Sequence, residues 1–283
     1  MVLESFISPI KAEKRPWELF FLGFLYASIA MFLSLWIFEK QTSLVMVFLT
    51  VIACTPLLFN AMRYEEYKDI NINSETNRLK EHYKILKVLI FLFLGFCVAF
   101  SVWYVFLPSA TVDSIFSIQM QTINTINSKV AGNVLLDLPI LEQIFLNNIK
   151  VLLFCLFFAF FYGAGAIFIL TWNASVISAA IGNLIRINVA EYAKELGFSS
   201  MWAYFSIFSV SFLRYMIHGI PEISAYFVGG LAGSIISVAT INHDFRSEKF
   251  KNVLLDTICL IIIAVVILVI AALMEVYLTP RLF

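Results

Sequence analysis

Arg214, His218 and Glu222 recur at intervals of four within the otherwise apolar stretch 200–241. On a continuous helix that spacing stacks the three side chains along one face. A guanidinium, an imidazole and a carboxylate so arranged could do three things. They could form a structural ion pair, bind an ion, a proton or a lipid headgroup, or use His218 as a general base. The residues between them bear on the choice, because Gly219 is a poor helix former and Pro221 removes a backbone N–H. The sequence therefore predicts a broken helix with arms at about 200–217 and 222–241. Glu222 would fall in the first turn of the second arm, where the helix dipole stabilises a carboxylate. Backbone groups freed at such a break need partners.

Other chemistries find little support. Zinc hydrolysis calls for an HExxH-like pair of ligands, and this stretch offers one His and one Glu. His82 and His243 fall in loops away from it. No GxSxG turn is present for a serine nucleophile. The four cysteines, Cys54, Cys97, Cys155 and Cys259, stand singly in apolar runs without CxxC spacing, which argues against a disulfide framework or a zinc site. No catalytic residue, metal or cofactor is expected. Lys plus Arg equal Asp plus Glu, 19 each, so there is no basic excess to attract nucleic acid.

The elements that must position these residues are membrane helices. Hydrophobic side chains make up 61% of the 283 residues and charged ones 13%, against about half and a quarter in soluble domains. The fold class is an all-α, polytopic transmembrane bundle in the cell membrane, with the lipid bilayer as its first partner. A hydrocarbon core of about 30 Å needs about 20 apolar residues, which selects spans near 17–38, 42–62, 85–107, 150–172, 200–217, 222–241 and 252–278. With the N-terminus inside, the inner segments hold Lys11, Lys14, Arg15, Arg63, Lys68, Arg78, Lys80, Lys84, Arg186, Lys194, Arg246, Lys249 and Lys251, whereas the outer ones hold Lys40, Lys129, Lys150 and Arg281. That bias sets the N-terminus inside and the C-terminus outside. The five tryptophans fall at predicted span ends, as indoles prefer.

Three units follow. Residues 1–107 form a three-span unit whose charged inner loop, 63–84, reads as a helical hairpin prolonging two spans. Residues 108–149 form an outer segment with Ile115, Phe116, Ile118, Ile123 and Ile126 among polar residues, a pattern for a helix lying on the membrane or packing on another protein. Residues 150–283 form a C-terminal membrane unit. Small residues mark close helix packing: Ala225, Gly229, Gly233 and Ser237 recur every four residues, as do Ala174, Ser178 and Gly182. In lipid such stripes let backbones approach, within the chain or between copies of it.

The C-terminal half resembles the stage II sporulation protein M family of integral membrane proteins. The resemblance runs over about 140–245. It is carried by Ile144 to Lys150, with Asn147 and Asn148, by Gly163 and Gly165 in the following apolar run, by Asn173, by Gly182, and by the run His218 to Ala225 followed by Gly229, Gly230 and Gly233. Ala174 departs from the family's usual Gly. The resemblance implies a membrane scaffold, by analogy with the member that gathers cell-wall-degrading proteins on the outer face of the membrane. It directs attention to Asn147, Asn148, Asn173, His218 and Glu222 as one set. The reading is a non-enzymatic scaffold that self-associates and recruits a membrane or extracytoplasmic protein. The alternative is a transporter, channel or lipid-handling protein that uses the break at His218–Glu222.

Overall fold

A computed structural model describes residues 9–39, 41–71, 75–131, 137–162, 166–196, 201–242 and 248–282. Among them there is no strand. The order is α1 (Pro9–Lys14), α2 (Trp17–Ile37), α3 (Thr42–Asn71), α4 (Glu75–Phe106), α5 (Ser109–Ile115), α6 (Ser117–Ala131), α7 (Asp137–Tyr162), α8 (Ala166–Leu196), α9 (Met201–Asn242) and α10 (Glu248–Leu273). A π-helical turn, Met274–Leu278, leads into α11 (Thr279–Leu282). Among the described residues seven helices are long and apolar enough to cross a membrane: α2, α3, α4, α7, α8, α9 and α10. The chain is a multi-pass membrane protein.

The number of spans is as predicted, yet two of its parts are corrected. The apolar run 150–172 is not one span. It comprises the end of α7 and the start of α8, and α7 begins at Asp137 inside the predicted outer segment. The stretch 200–241 is not two arms either. It is one helix, α9, unbroken through Pro221. Proline removes a single bond, the one to the Ile217 carbonyl, and a bundle packed around the helix can hold it straight enough to continue.

These corrections move a segment from one end of the bundle to the other. Call the end that carries α5 and α6 the cap end, and the end where α3 and α4 prolong toward residues 63–84 the base. Arg186, predicted at the base, sits at the cap end. Its guanidinium donates to the carbonyls of Val105 and Leu107, where α4 finishes, and to the Ser109 hydroxyl 3.4 Å away. Those carbonyls have no partner in their own helix, and a cation is well placed at that helix terminus. Trp172, predicted at a span end, lies inside α8, part-buried against the core.

Close approach of backbones organises the bundle. A Cβ on Gly23 of α2 would meet the Leu92 carbonyl of α4 at 2.5 Å, and one on Gly182 of α8 would meet the Tyr104 ring of α4 at 2.6 Å. Between α4 and α8, Ser178 donates to the Cys97 carbonyl at 3.0 Å. The α5–α6 corner turns apolar side chains into the bundle. Val112, Ile115 and Phe116 are buried, with Phe116 against the Phe100 and Tyr104 rings. Gln119, wholly buried, joins α6 to two spans. It accepts from the Ser43 hydroxyl at 2.5 Å, donates to the Ser43 carbonyl at 3.3 Å and to the Ser175 hydroxyl at 3.1 Å.

Candidate functional site

Because α9 is continuous, the four-residue spacing does put Arg214, His218 and Glu222 on one face, and extends that face to Tyr226. The face meets the end of α10. The His218 imidazole Nδ1 is 3.1 Å from the Thr279 hydroxyl, and the Tyr226 hydroxyl donates to Glu222 Oε1 at 2.7 Å. Since α9 and α10 run antiparallel, one turn below the His218–Thr279 pair Glu222 comes opposite Glu275. The two carboxylates interact electrostatically, and both act on Tyr226. Glu275 lies in the π-helical turn, a distortion that recurs at functional sites. The Thr279 hydroxyl also donates to the Met274 carbonyl at 3.1 Å, spanning that turn.

The third helix at this junction is α7. A Cβ on Gly229 would strike the Leu152 side chain, and one on Gly233 would lie 2.6 Å from the Leu156 carbonyl and 2.9 Å from the Ala159 Cβ. Residue numbers rise together along the contact, so α7 and α9 are parallel. The small-residue stripe thus packs within the chain, and the face carrying Gly229 and Gly233 is occupied by α7. Cys155 of α7 is buried beside Tyr226. One turn before Leu152 stands Asn148, buried, with an amide Nδ2 that has no hydrogen-bond partner. The register places it level with Ala225, within one turn of both Glu222 and Tyr226.

Depth follows from helix rise. Asn188 of α8 donates to the Ser211 hydroxyl of α9 at 3.4 Å, just beyond Arg186 and hence about level with the end of α4. Glu222 is then about 16 Å down the helix from Ser211, near the middle of Phe205–Ser237, the part of α9 long and apolar enough to cross a membrane. In the other direction, α8 continues to Leu196 and α9 starts at Met201. The two helices therefore rise beyond the end of α4 by about 12–15 Å.

Not every predicted residue joins the cluster. Arg214 is exposed and is not ion-paired with Glu222. Ion pairs of Lys11 and Arg15 with Glu18 lie elsewhere, where α1 meets α2. Asn147 points away and is exposed. Asn173 of α8 donates to the Ile169 carbonyl of its own helix at 2.8 Å. Gly163 and Gly165 lie outside the described residues. Glu275, Tyr226 and Thr279 were missed. Tyr226 continues the four-residue spacing and was available as a signal. Glu275 could have been flagged as an acid ending a long apolar run.

No group of three His, Cys, Asp or Glu side chains converges as a metal site among the described residues. Compared with known families, residues 88–280, more than half the chain, match the model for Stage II sporulation protein M. Neither the curated proteins nor the solved structures give a match.

Proposed function

The chain belongs to the stage II sporulation protein M family, and from that premise we propose that it is a non-enzymatic membrane scaffold whose cap end faces the cell exterior and recruits protein partners there. The observation that carries the reading is the projecting pair α8–α9. Together with the α5–α6 corner, clamped by Gln119, it makes a platform beyond the end of α4. Rigidly held surface segments are where recognition residues concentrate. The platform exposes Asp113 and Asn124 on the corner and Phe205 and Val210 on α9.

Orientation is supported by charge. With Arg186 and Lys194 moved to the cap end, the base still holds Lys11, Lys14, Arg15, Arg63, Lys68, Arg78, Lys80, Lys84, Lys249 and Lys251. Against these stand Lys40, Lys129, Arg186, Lys194 and Arg281. The richer end is the cytoplasmic one. On the side of no catalysis, His218 bonds a threonine and not an acid–nucleophile relay.

The test is site-specific photocrosslinking in native membranes from Asp113, Asn124 and Phe205. A scaffold yields one discrete protein adduct, or a dimer of the chain, from all three positions. Gln119→Leu, which frees the corner, should abolish the adducts from Asp113 and Asn124 and spare that from Phe205. Lipid adducts alone from all three positions would end the scaffold reading.

A further inference from the structure

We propose that the junction of α7, α9 and α10 binds one exchangeable monovalent positive charge, a proton or a sodium ion, held between Glu222 and Glu275 and bordered by Tyr226 and Asn148. The proposal stands apart from the scaffold reading and does not depend on it.

Three independent features converge there. Two carboxylates interact inside the bundle, and no cation among the described residues answers them. Arg214 and Arg281, the nearest bases in sequence, are both exposed, and His218 is engaged with Thr279. Uncompensated charge away from water is costly, and two like charges together more so. The second feature is Asn148. A buried amide with an unpartnered Nδ2 is uncommon in folded proteins. Its register on α7, level with Ala225, places it within one turn of Glu222 along α9. The third is backbone. Pro221 leaves the Ile217 carbonyl without its helical donor, and the π-helical turn at Met274–Leu278 loosens the regular bonding of α10 at Glu275. Carboxylate, amide and freed carbonyl oxygens are the ligand types that hard cations take.

The other titratable groups facing the pair are few. They are His218, Tyr226 and, near His218, Tyr215 from α9, with Cys155 from α7. Also on α7, Glu142 and Lys150 are exposed. None of these gives the pair a buried, fixed positive charge. A three-carboxylate divalent site is not formed, since no third acid converges among the described residues.

The experiment uses the full chain in lipid nanodiscs. Thermal unfolding is followed at constant ionic strength while N-methylglucamine is replaced by sodium, and infrared difference spectra report carboxyl protonation at neutral pH. If sodium is the ligand, unfolding shifts up by roughly 5 °C or more at a hundredfold excess over Kd, and both Glu222→Gln and Glu275→Gln remove the shift. If a proton is held, sodium has no effect and the spectra show one protonated carboxyl group, whose band changes in either variant. Absence of a sodium shift together with two fully ionised carboxylates in the unaltered chain overturns the proposal, whether or not the variants fold. Asn148→Ala, which leaves both acids in place, should weaken sodium binding or alter the carboxyl band; a response identical to that of the unaltered chain removes Asn148 from the site.

Discussion

Replacing Gly233 by alanine tests the α7–α9 contact that sets the site's geometry. The new Cβ would lie 2.6 Å from the Leu156 carbonyl oxygen and 2.9 Å from the Ala159 Cβ. Ordinary contact begins near 3.4 Å, so the helices must part by about 0.8 Å, because a carbonyl in mid-helix cannot swing aside as a side chain can. Overpacking of this kind costs about 1–3 kcal/mol, while exchanging Gly for Ala inside a helix returns up to about 1 kcal/mol. The net loss should be about 1–2 kcal/mol. Two other glycines of the same helix serve as controls. At Gly219 the nearest atom to a Cβ is Met216 Cε at 4.0 Å, so Gly219→Ala should stabilise by up to about 1 kcal/mol. At Gly229 the close neighbour is the tip of the Leu152 side chain, which can rotate, so Gly229→Ala should fall between the two. Thermal or denaturant unfolding in one detergent, followed by circular dichroism, gives the order Gly219→Ala, Gly229→Ala, Gly233→Ala from most to least stable. Adding Ala159→Gly to Gly233→Ala should recover little, since the carbonyl clash persists. A Gly233→Ala protein as stable as Gly219→Ala would refute this backbone-to-backbone packing of α7 on α9.

Further predictions concern the cap. Gln119→Leu leaves the buried Ser43 hydroxyl without its acceptor and removes the donor to Ser175, and should cost about 1–3 kcal/mol, with non-additivity in a cycle with Ser43→Ala; strict additivity would dissolve the clamp. Arg186→Met should speed amide exchange at the last turn of α4, whose carbonyls it tethers, while Lys150→Met, at an exposed position on α7, should not. In a cysteine-free background, Ser109→Cys and Asn188→Cys should react with an impermeant maleimide from the same side of sealed vesicles, and Lys84→Cys from the other. Labelling of the Asn188 and Lys84 positions from one side would return the end of α8 to the base.

Length and composition made the spans legible, because burying about 20 apolar residues per crossing leaves a mark in any window. What the windows could not see was where one apolar helix gives way to the next. Between Phe160 and Ile167 the chain reads Phe-Tyr-Gly-Ala-Gly-Ala, with no charged or amide residue to announce where α7 ends and α8 begins. The start of α7, with Asp137, Glu142, Gln143, Asn147 and Asn148, resembled an outer segment for the opposite reason. These polar residues ride on a helix whose middle is apolar. Joining what is separate at 163–165 and separating what is joined at Pro221 cancelled in the count. The end of α8 and the start of α9 moved to the other end of the bundle as a result. Side chains that share one helix face, such as His218 and Glu222, could be grouped by spacing alone. Their partners Thr279 and Glu275 come from a turn more than fifty residues on, which no local pattern reveals.

Continuity of α9 also explains why the proline and the polar cluster occur together. At 42 residues, the helix runs about 63 Å, twice the hydrocarbon thickness. Placing its start clear of the lipid carries Pro221 down into the core, where water cannot repair the bond it lacks. Below that point the contact face is Ala225, Gly229 and Gly233 against α7, all buried, a seam with no group to spare. Above it Met216 of the helix packs on Ile181 and Ile185 of α8. The unmade bond therefore falls at the one level where His218, Thr279, Tyr226 and two acids supply polar atoms. If proline were tolerated merely because neighbours pack tightly, it could sit anywhere along this seam and the cluster would be incidental. A Pro221→Ala chain separates the two ideas. Restoring the Ile217 bond should then leave the Glu222–Glu275 infrared signature unchanged, whereas a site that uses the freed carbonyl would lose it.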